Sequence, residues 1–232
     1  MIRLSPCASV VALAALGAGF ARADSITATK SWANCQGGEG IWSELRVSAC
    51  NEVIKSGKAV GADLAKAYYL RGNAQLGRSE YLKAIDDYTL ALEIDGQDAN
   101  ALSERCWARG IVGLELDAAL ADCNEALRIR ANDSETLGAR GFTYIRLGLY
   151  RSAVLDYDAA LKLKADNAEH LVARGTAKIR AGDAEGGEAD LAAAKAIDPK
   201  AEAAFARHDQ ANQTGFWSAM IGYWRGMMKW VY

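Results

Sequence analysis

The chain has 232 residues, 51% of them hydrophobic, with 27 basic and 29 acidic side chains and a net charge of −2. No basic excess exists to form an electrostatic footprint for nucleic acid, so that class of partner is excluded.

Residues 1–23 read as a secretory signal peptide. Arg3 gives a positive start, Val10 to Phe20 is an uncharged apolar run, and Ala21-Arg22-Ala23 places small residues at both cleavage positions. The run is too short to span a membrane. Cys7 precedes it rather than following it, which argues against a lipid anchor. Cutting after Ala23 leaves a mature chain beginning at Asp24. Loss of Arg3 and Arg22 then leaves 25 basic against 29 acidic residues, a net charge of −4. Four cysteines remain, Cys35, Cys50, Cys106 and Cys123. An even count in an exported chain suggests two disulfides, and three pairings are open on count alone.

From residue 65 the chain repeats. Arg71-Gly72, Arg105-Cys106, Arg140-Gly141 and Arg174-Gly175 recur at intervals of 34, 35 and 34. Ala91, Ala126, Ala160 and Ala194 recur at 35, 34 and 34. Two columns with one period indicate stacked supersecondary units. The copies run over 65–98, 99–133, 134–167 and 168–201. In the first, helix A is expected over 67–76 and helix B over 81–94, separated by Gly77-Arg78-Ser79. Helix B carries an apolar face with a 3.6-residue period through Tyr81, Ala84, Ile85, Tyr88, Ala91 and Leu92. A second ladder pairs the four arginines with Asp87, Asp122, Asp156 and Asp190, 16 or 17 residues later. It reads as structural bridging, because structural columns recur in every copy while recognition residues vary.

These columns resemble the tetratricopeptide repeat (TPR) over 65–201. The family's small residue midway along helix A is matched by Gly72, Gly141 and Gly175. Its large residue opening helix B is matched by Tyr81 and Tyr150. Its Ala, aromatic, Ala run is matched by Ala84, Tyr88 and Ala91, and by Ala153, Tyr157 and Ala160. The resemblance implies an all-α, right-handed TPR solenoid of about four hairpins, with an irregular N-terminal cap and C-terminal helices. Copy four replaces its large residues with Ala184 and Leu191, and adds Gly187, so loose packing is expected there. The chain is also similar to exported TPR proteins of Gram-negative bacteria in the run Cys106 to Arg109 and the run Ala121 to Leu127. That likeness implies a periplasmic location and no activity.

The resemblance also orients the cysteines. Cys106 stands in the glycine column and Cys123 in the aromatic column, which face each other in this family, so a Cys106–Cys123 bridge is implied. Cys50, Val53 and Ile54 echo Cys123, Ala126 and Leu127, and Cys35 precedes Cys50 by 15 residues. Residues 24–64 are therefore read as a capping segment, an irregular loop plus one helix stapled by Cys35–Cys50. Gly37-Gly38-Glu39-Gly40 argues against a continuous helix there.

In this family helix A lines the inner face of the curve. The corresponding positions are Tyr69, Asn73, Ser103, Trp107, Phe142, Arg146, Thr176 and Arg180. Aromatic and arginine side chains on a groove are good anchors. Arg146 and Arg180 make one end basic, which suits an acidic peptide. The family's Lys and Asn clamp for a terminal carboxylate is missing, with Tyr69 in place of Lys and Glu104 in place of the second Asn.

After Pro199 a capping helix and turn fill 202–214, covering the open end of copy four. The segment 215–232 is an aromatic amphipathic tail. Trp217, Met220, Ile221, Trp224, Met227, Met228 and Val231 share one helical stripe, opposite Arg225 and Lys229. Docking into the groove, on a membrane surface or on a partner are all compatible with it.

No catalytic constellation or metal set is found. His170 and His208 lack ligand-spaced neighbours, and Gly182 to Gly187 lacks the lysine of a phosphate loop. The expected function is an exported scaffold or adaptor that binds a peptide or protein in its groove, with no cofactor and no enzyme activity. A tail-anchored peripheral membrane scaffold and a self-associating accessory subunit are the alternatives.

Overall fold

Residues 30–38 and 40–209 are described by the computed structural model. A short helix α1 (30–36) and α2 (Ser43–Lys55) precede four hairpins. These are α3 (Ala62–Leu76) with α4 (Tyr81–Ile94), α5 (Ala99–Val112) with α6 (Leu116–Ile129), α7 (Ser134–Arg146) with α8 (Tyr150–Leu163), and α9 (Ala168–Ala181) with α10 (Ala184–Ile197). A final helix, α11, covers 201–209. Among the described residues there is no strand.

Each hairpin begins and turns for local reasons. The side chains of Asp98, Asp133, Asn167 and Asp183 accept from backbone N–H groups in the first turns of α5, α7, α9 and α10, satisfying donors that helix geometry leaves orphaned. Gly182, at φ +100°, ends α9 in the left-handed region that glycine adopts without strain. Helix α4 spans the residues expected from its periodicity. Helix α3 starts five residues ahead of expectation, at Ala62.

Within a hairpin, glycine permits the crossing. A Cβ on Gly72 would lie 2.7 Å from the Tyr88 ring, and one on Gly141 2.9 Å from that of Tyr157. In copy two the crossing is made by the Cys106–Cys123 disulfide instead, with both cysteines fully buried. Copy four is not loose. Gly175 and Gly187 bring the α9 and α10 backbones together, and a Cβ on either would come within 3 Å of the other's carbonyl oxygen. The helices close the gap that a tyrosine fills elsewhere.

The Arg–Asp ladder forms in all four copies. Arg71 donates to Asp87 through Nε and Nη2 at 2.8 and 2.6 Å, and Arg105–Asp122, Arg140–Asp156 and Arg174–Asp190 repeat the fork. The remaining nitrogen, Nη1, reaches the helix before. It donates to Asn51, Thr89, Asn124 and Asp158 in turn. One arginine thus ties helix A to its own helix B and to the preceding copy. The first of these acceptors, Asn51, sits on α2.

That bond exposes a correction. The N-terminal segment is not a loop plus one helix but a truncated hairpin, α1 and α2, joined through Cys35–Cys50. In α2, Cys50 takes the aromatic-column place and Asn51 the inter-copy acceptor place. Ala49 replaces the ladder aspartate and Asn34 the ladder arginine, so charge and counter-charge are missing together. The glycines break the chain between the two helices rather than abolishing the first.

Neighbouring A helices touch one another, α3 on α5, α5 on α7 and α7 on α9, whereas α4, α6, α8 and α10 do not. The stack therefore curves with A helices on the inside. Among the described residues no helix is long and apolar enough to cross a membrane.

Candidate concave binding site

The inner face is set by the A helices, and its C-terminal part is already covered. Helix α11 does more than close copy four. Phe205 packs edge-on against Phe142 of α7 at 5.8 Å, and His208 packs edge-on against Trp107 of α5 at 5.3 Å. Asp209 follows. Arg146 donates to its backbone carbonyl at 2.9 Å and Arg180 to its carboxylate at 2.9 Å. Arg180 also lies 6.0 Å from the Tyr150 ring centroid. The two arginines on which an acidic partner was expected thus both face a carboxylate of the same chain.

The eight groove positions divide. Trp107 is half-buried and stands between two open spaces. Asn73 faces one of them and accepts from the Tyr88 hydroxyl at 2.7 Å. Tyr69 is half-buried with its ring 6.0 Å from that of Tyr88, and Thr176 is half-buried on α9. Ser103 accepts from Thr136 Oγ1 at 2.9 Å and is buried, though it borders the deeper space. Phe142 is 0% exposed, wedged 4.9 Å from Trp107, and belongs to the core rather than to the groove. The helical period gave its angle correctly and could not give its depth. The tail residues Trp217, Met220, Ile221, Trp224, Met227, Met228 and Val231 lie outside the described residues.

The deeper space is a cavity of about 270 Å³ between α5, α7, α9 and α11. Its walls include Glu104, Trp107, Glu135, Glu169, His170 and His208. None of the four acids and histidines from α7, α9 and α11 was selected from the sequence, and neither was Glu104 for binding. A signal existed for two, since Glu135 and Glu169 stand five residues before Arg140 and Arg174 and so share a column. Glu104 breaks its own column, where Leu70, Ala139 and Ala173 occupy the other copies.

The electrostatics of this cavity are negative. Burial pushes the Glu104 carboxyl above the usual carboxylate range, and the nearby charges of Glu135 and Asp133 push it further. Glu104 has no hydrogen bond or ion pair among the described residues. Glu135 pairs with Lys164 at 2.7 Å at the exposed rim. Burial lowers both His170 and His208, with Glu135 and Glu169 respectively acting the other way. Both imidazoles are therefore neutral at pH 7. His170 is 8% exposed, and its Nδ1 is buried without a partner among the described residues. The second space, on the other side of Trp107, is shared by Asn73, Ser79, Tyr81, Glu104, Ile111 and His208.

Stacked antiparallel hairpins with one layer lining a concave face define an α-solenoid. Solved structures that share this fold include MamA and a TPR protein, YrrB. MamA residues 41–end from Desulfovibrio magneticus RS-1 matches with a TM-score of 0.59 at 13% identity, covering 79% of this chain and 96% of that one. A second MamA crystal structure matches at 0.55 and 16% identity, covering 68% and 84%. YrrB, described as a TPR protein with an unusual peptide-binding site, matches at 0.52 and 20% identity, covering 68% and 78%. No family profile and no curated protein matches the chain. The chain has the all-α TPR solenoid fold.

Proposed function

We propose that the protein is an exported TPR scaffold that binds a segment of a partner polypeptide along its concave face. The observation that carries this reading is that the face already accepts a polypeptide element. Helix α11 places Phe205, His208 and Asp209 onto Phe142, Trp107, Arg146 and Arg180, with open space left beside it on both sides of Trp107. Aromatic anchors in a concave, partly apolar groove are the usual seat of binding energy. The likeness to YrrB, a TPR protein with a peptide-binding site, supports the same use of the fold.

Export rests on the pattern of residues 1–23 and on the two disulfides, which persist in oxidising compartments such as the periplasm. Mass spectrometry of protein from the cell envelope should find Asp24 as the first residue and both bridges intact. Retention of Met1, or free thiols at Cys106 and Cys123, would contradict it. Groove binding is tested by affinity capture from envelope extract with wild type, Trp107→Ala and Leu155→Ala, each checked for folding by circular dichroism. Leu155 is an exposed residue of α8, outside the concave layer. Trp107→Ala should lose the partners that wild type and Leu155→Ala recover. Equal recovery from all three would remove the groove from the reading.

A further inference from the structure

We infer that the cavity between α5, α7, α9 and α11 seats a cationic side chain, a lysine or arginine of the bound polypeptide, with Glu104 as its counter-ion and Trp107 as its wall. The inference deepens the groove reading and rests on it. Two observations point to a donor there. Glu104 is a half-buried carboxylate on the cavity wall with no cation beside it among the described residues, so a cation entering the cavity finds an unpaired counter-charge. His170, more than nine-tenths buried, lines the same cavity and has an Nδ1 with no partner among the described residues. A neutral imidazole carries one acceptor nitrogen, so this wall suits a donor better than an acceptor.

Charge and size agree. Glu135 and Glu169 stand at the rim, and Lys164 beside Glu135 is the only cation paired to any of the three glutamates among the described residues. The basic residues of the groove, Arg146 and Arg180, are held by Asp209. An acidic ligand would therefore meet carboxylates in the open cavity. A volume of about 270 Å³ falls below the roughly 300–1,000 Å³ of sites for drug-sized molecules and fits one long side chain. Among the described residues no three His, Cys, Asp or Glu side chains are gathered to hold a metal ion, so the fitting cation is organic. The indole of Trp107 offers such a group a π face, and arginine or lysine lays its apolar stem along the Phe205 side.

The test uses the full chain and three capped pentapeptides, Gly-Gly-X-Gly-Gly, with X as arginine, citrulline or glutamate. Citrulline keeps the shape of arginine and removes its charge. Binding is followed by the NMR signals of the Trp107 indole N–H and the Glu104 side-chain carboxyl. The arginine peptide should bind with a Kd on the order of 1 mM, and the citrulline peptide roughly tenfold more weakly. The arginine peptide should also return the Glu104 titration toward the ordinary carboxylate range. Glu104→Gln, which keeps the side-chain shape, should abolish the preference while leaving the amide spectrum folded.

Equal binding of arginine and citrulline peptides at Trp107 would overturn the charge assignment while leaving groove binding standing. Preference for the glutamate peptide, or no shift at Trp107 with any peptide, would overturn it too. So would a Glu104 signal that ignores the peptides and moves on Arg225→Gln with Lys229→Gln, because the chain's own C-terminal segment would then be the occupant. The groove reading itself fails by a different result, capture that is indifferent to Trp107→Ala.

Discussion

Between the hairpins, every ladder arginine finds three oxygen acceptors, two on its aspartate and one on the preceding helix. In the concave cavity, the Glu104 carboxylate finds no donor among the described residues. Both are half-buried charged groups on the A helices, and Glu104 and Arg105 are adjacent in sequence. The ladder recurs in every copy because it holds copies together, and a group that does this must be complete without a ligand. Glu104 occurs once, is incomplete, and faces open space. Repetition with satisfied partners marks structure in this solenoid. Singularity with an unmet partner marks the place where something else binds.

The contrast can be broken most severely at Asp122. It accepts from Arg105 and also from Arg109, and is 6% exposed. Asp122→Ala leaves two part-buried guanidinium groups without their counter-ion and should cost about 3–5 kcal/mol in urea unfolding. A loss under about 1 kcal/mol would make the ladder mere surface pairing. Replacing Cys106 and Cys123 together by serine opens a loop of 17 residues and should cost about 3 kcal/mol. Gly141→Ala drives a methyl into the Tyr157 ring, and the crowding, about 1–3 kcal/mol, outweighs the gain in helix propensity.

Glu104→Gln should act in the opposite direction and raise stability by about 1 kcal/mol at pH 7, since it removes a half-buried, unpaired charge. The sign with pH follows from the raised carboxyl. The folded state holds its proton to higher pH than the unfolded state, so wild type loses stability as pH rises from the ordinary value of 4.5 through the raised one. Glu135, Asp133, Tyr69 and Tyr88 are the other titrating groups in electrostatic contact with it. The advantage of the variant should vanish below the ordinary carboxylate range, read from chemical melts at several pH values. The smallest effect is expected for Asp209→Asn. Its carboxylate contact with Arg180 is more than one-third exposed on the arginine side and that with Arg146 is long, at 3.5 Å, so about 0.5 kcal/mol is at stake. Faster amide exchange in α11 is the measurement that would register it.

The hairpin order and the ladder were legible because each depends on a column, and columns repeat. The Cys106–Cys123 pair was legible for the same reason, since it replaces a glycine and a tyrosine whose partnership is visible in copies one and three. Two things were hidden. Depth was one: Trp107 and Phe142 occupy the same column, yet one lines the groove and the other is sealed under it by Phe205. The path of α11 was the other. Its return across α7 to α5 depends on the curvature of the whole stack, which no local pattern carries. Glu104 was seen only as a mismatch to a carboxylate clamp. Its role comes from burial and from the signs of Glu135 and Asp133 around it, and those follow from packing.

The most direct test of the account is photo-crosslinking in intact cells. A benzophenone side chain is placed at Asn73 or Thr176 on the concave face, and at Glu93 or Leu155 on the outer layer. Covalent adducts to another polypeptide from the two inner positions, and none from the outer pair, are the predicted result. Adducts confined to Glu93 and Leu155, or formed equally from all four, would contradict it.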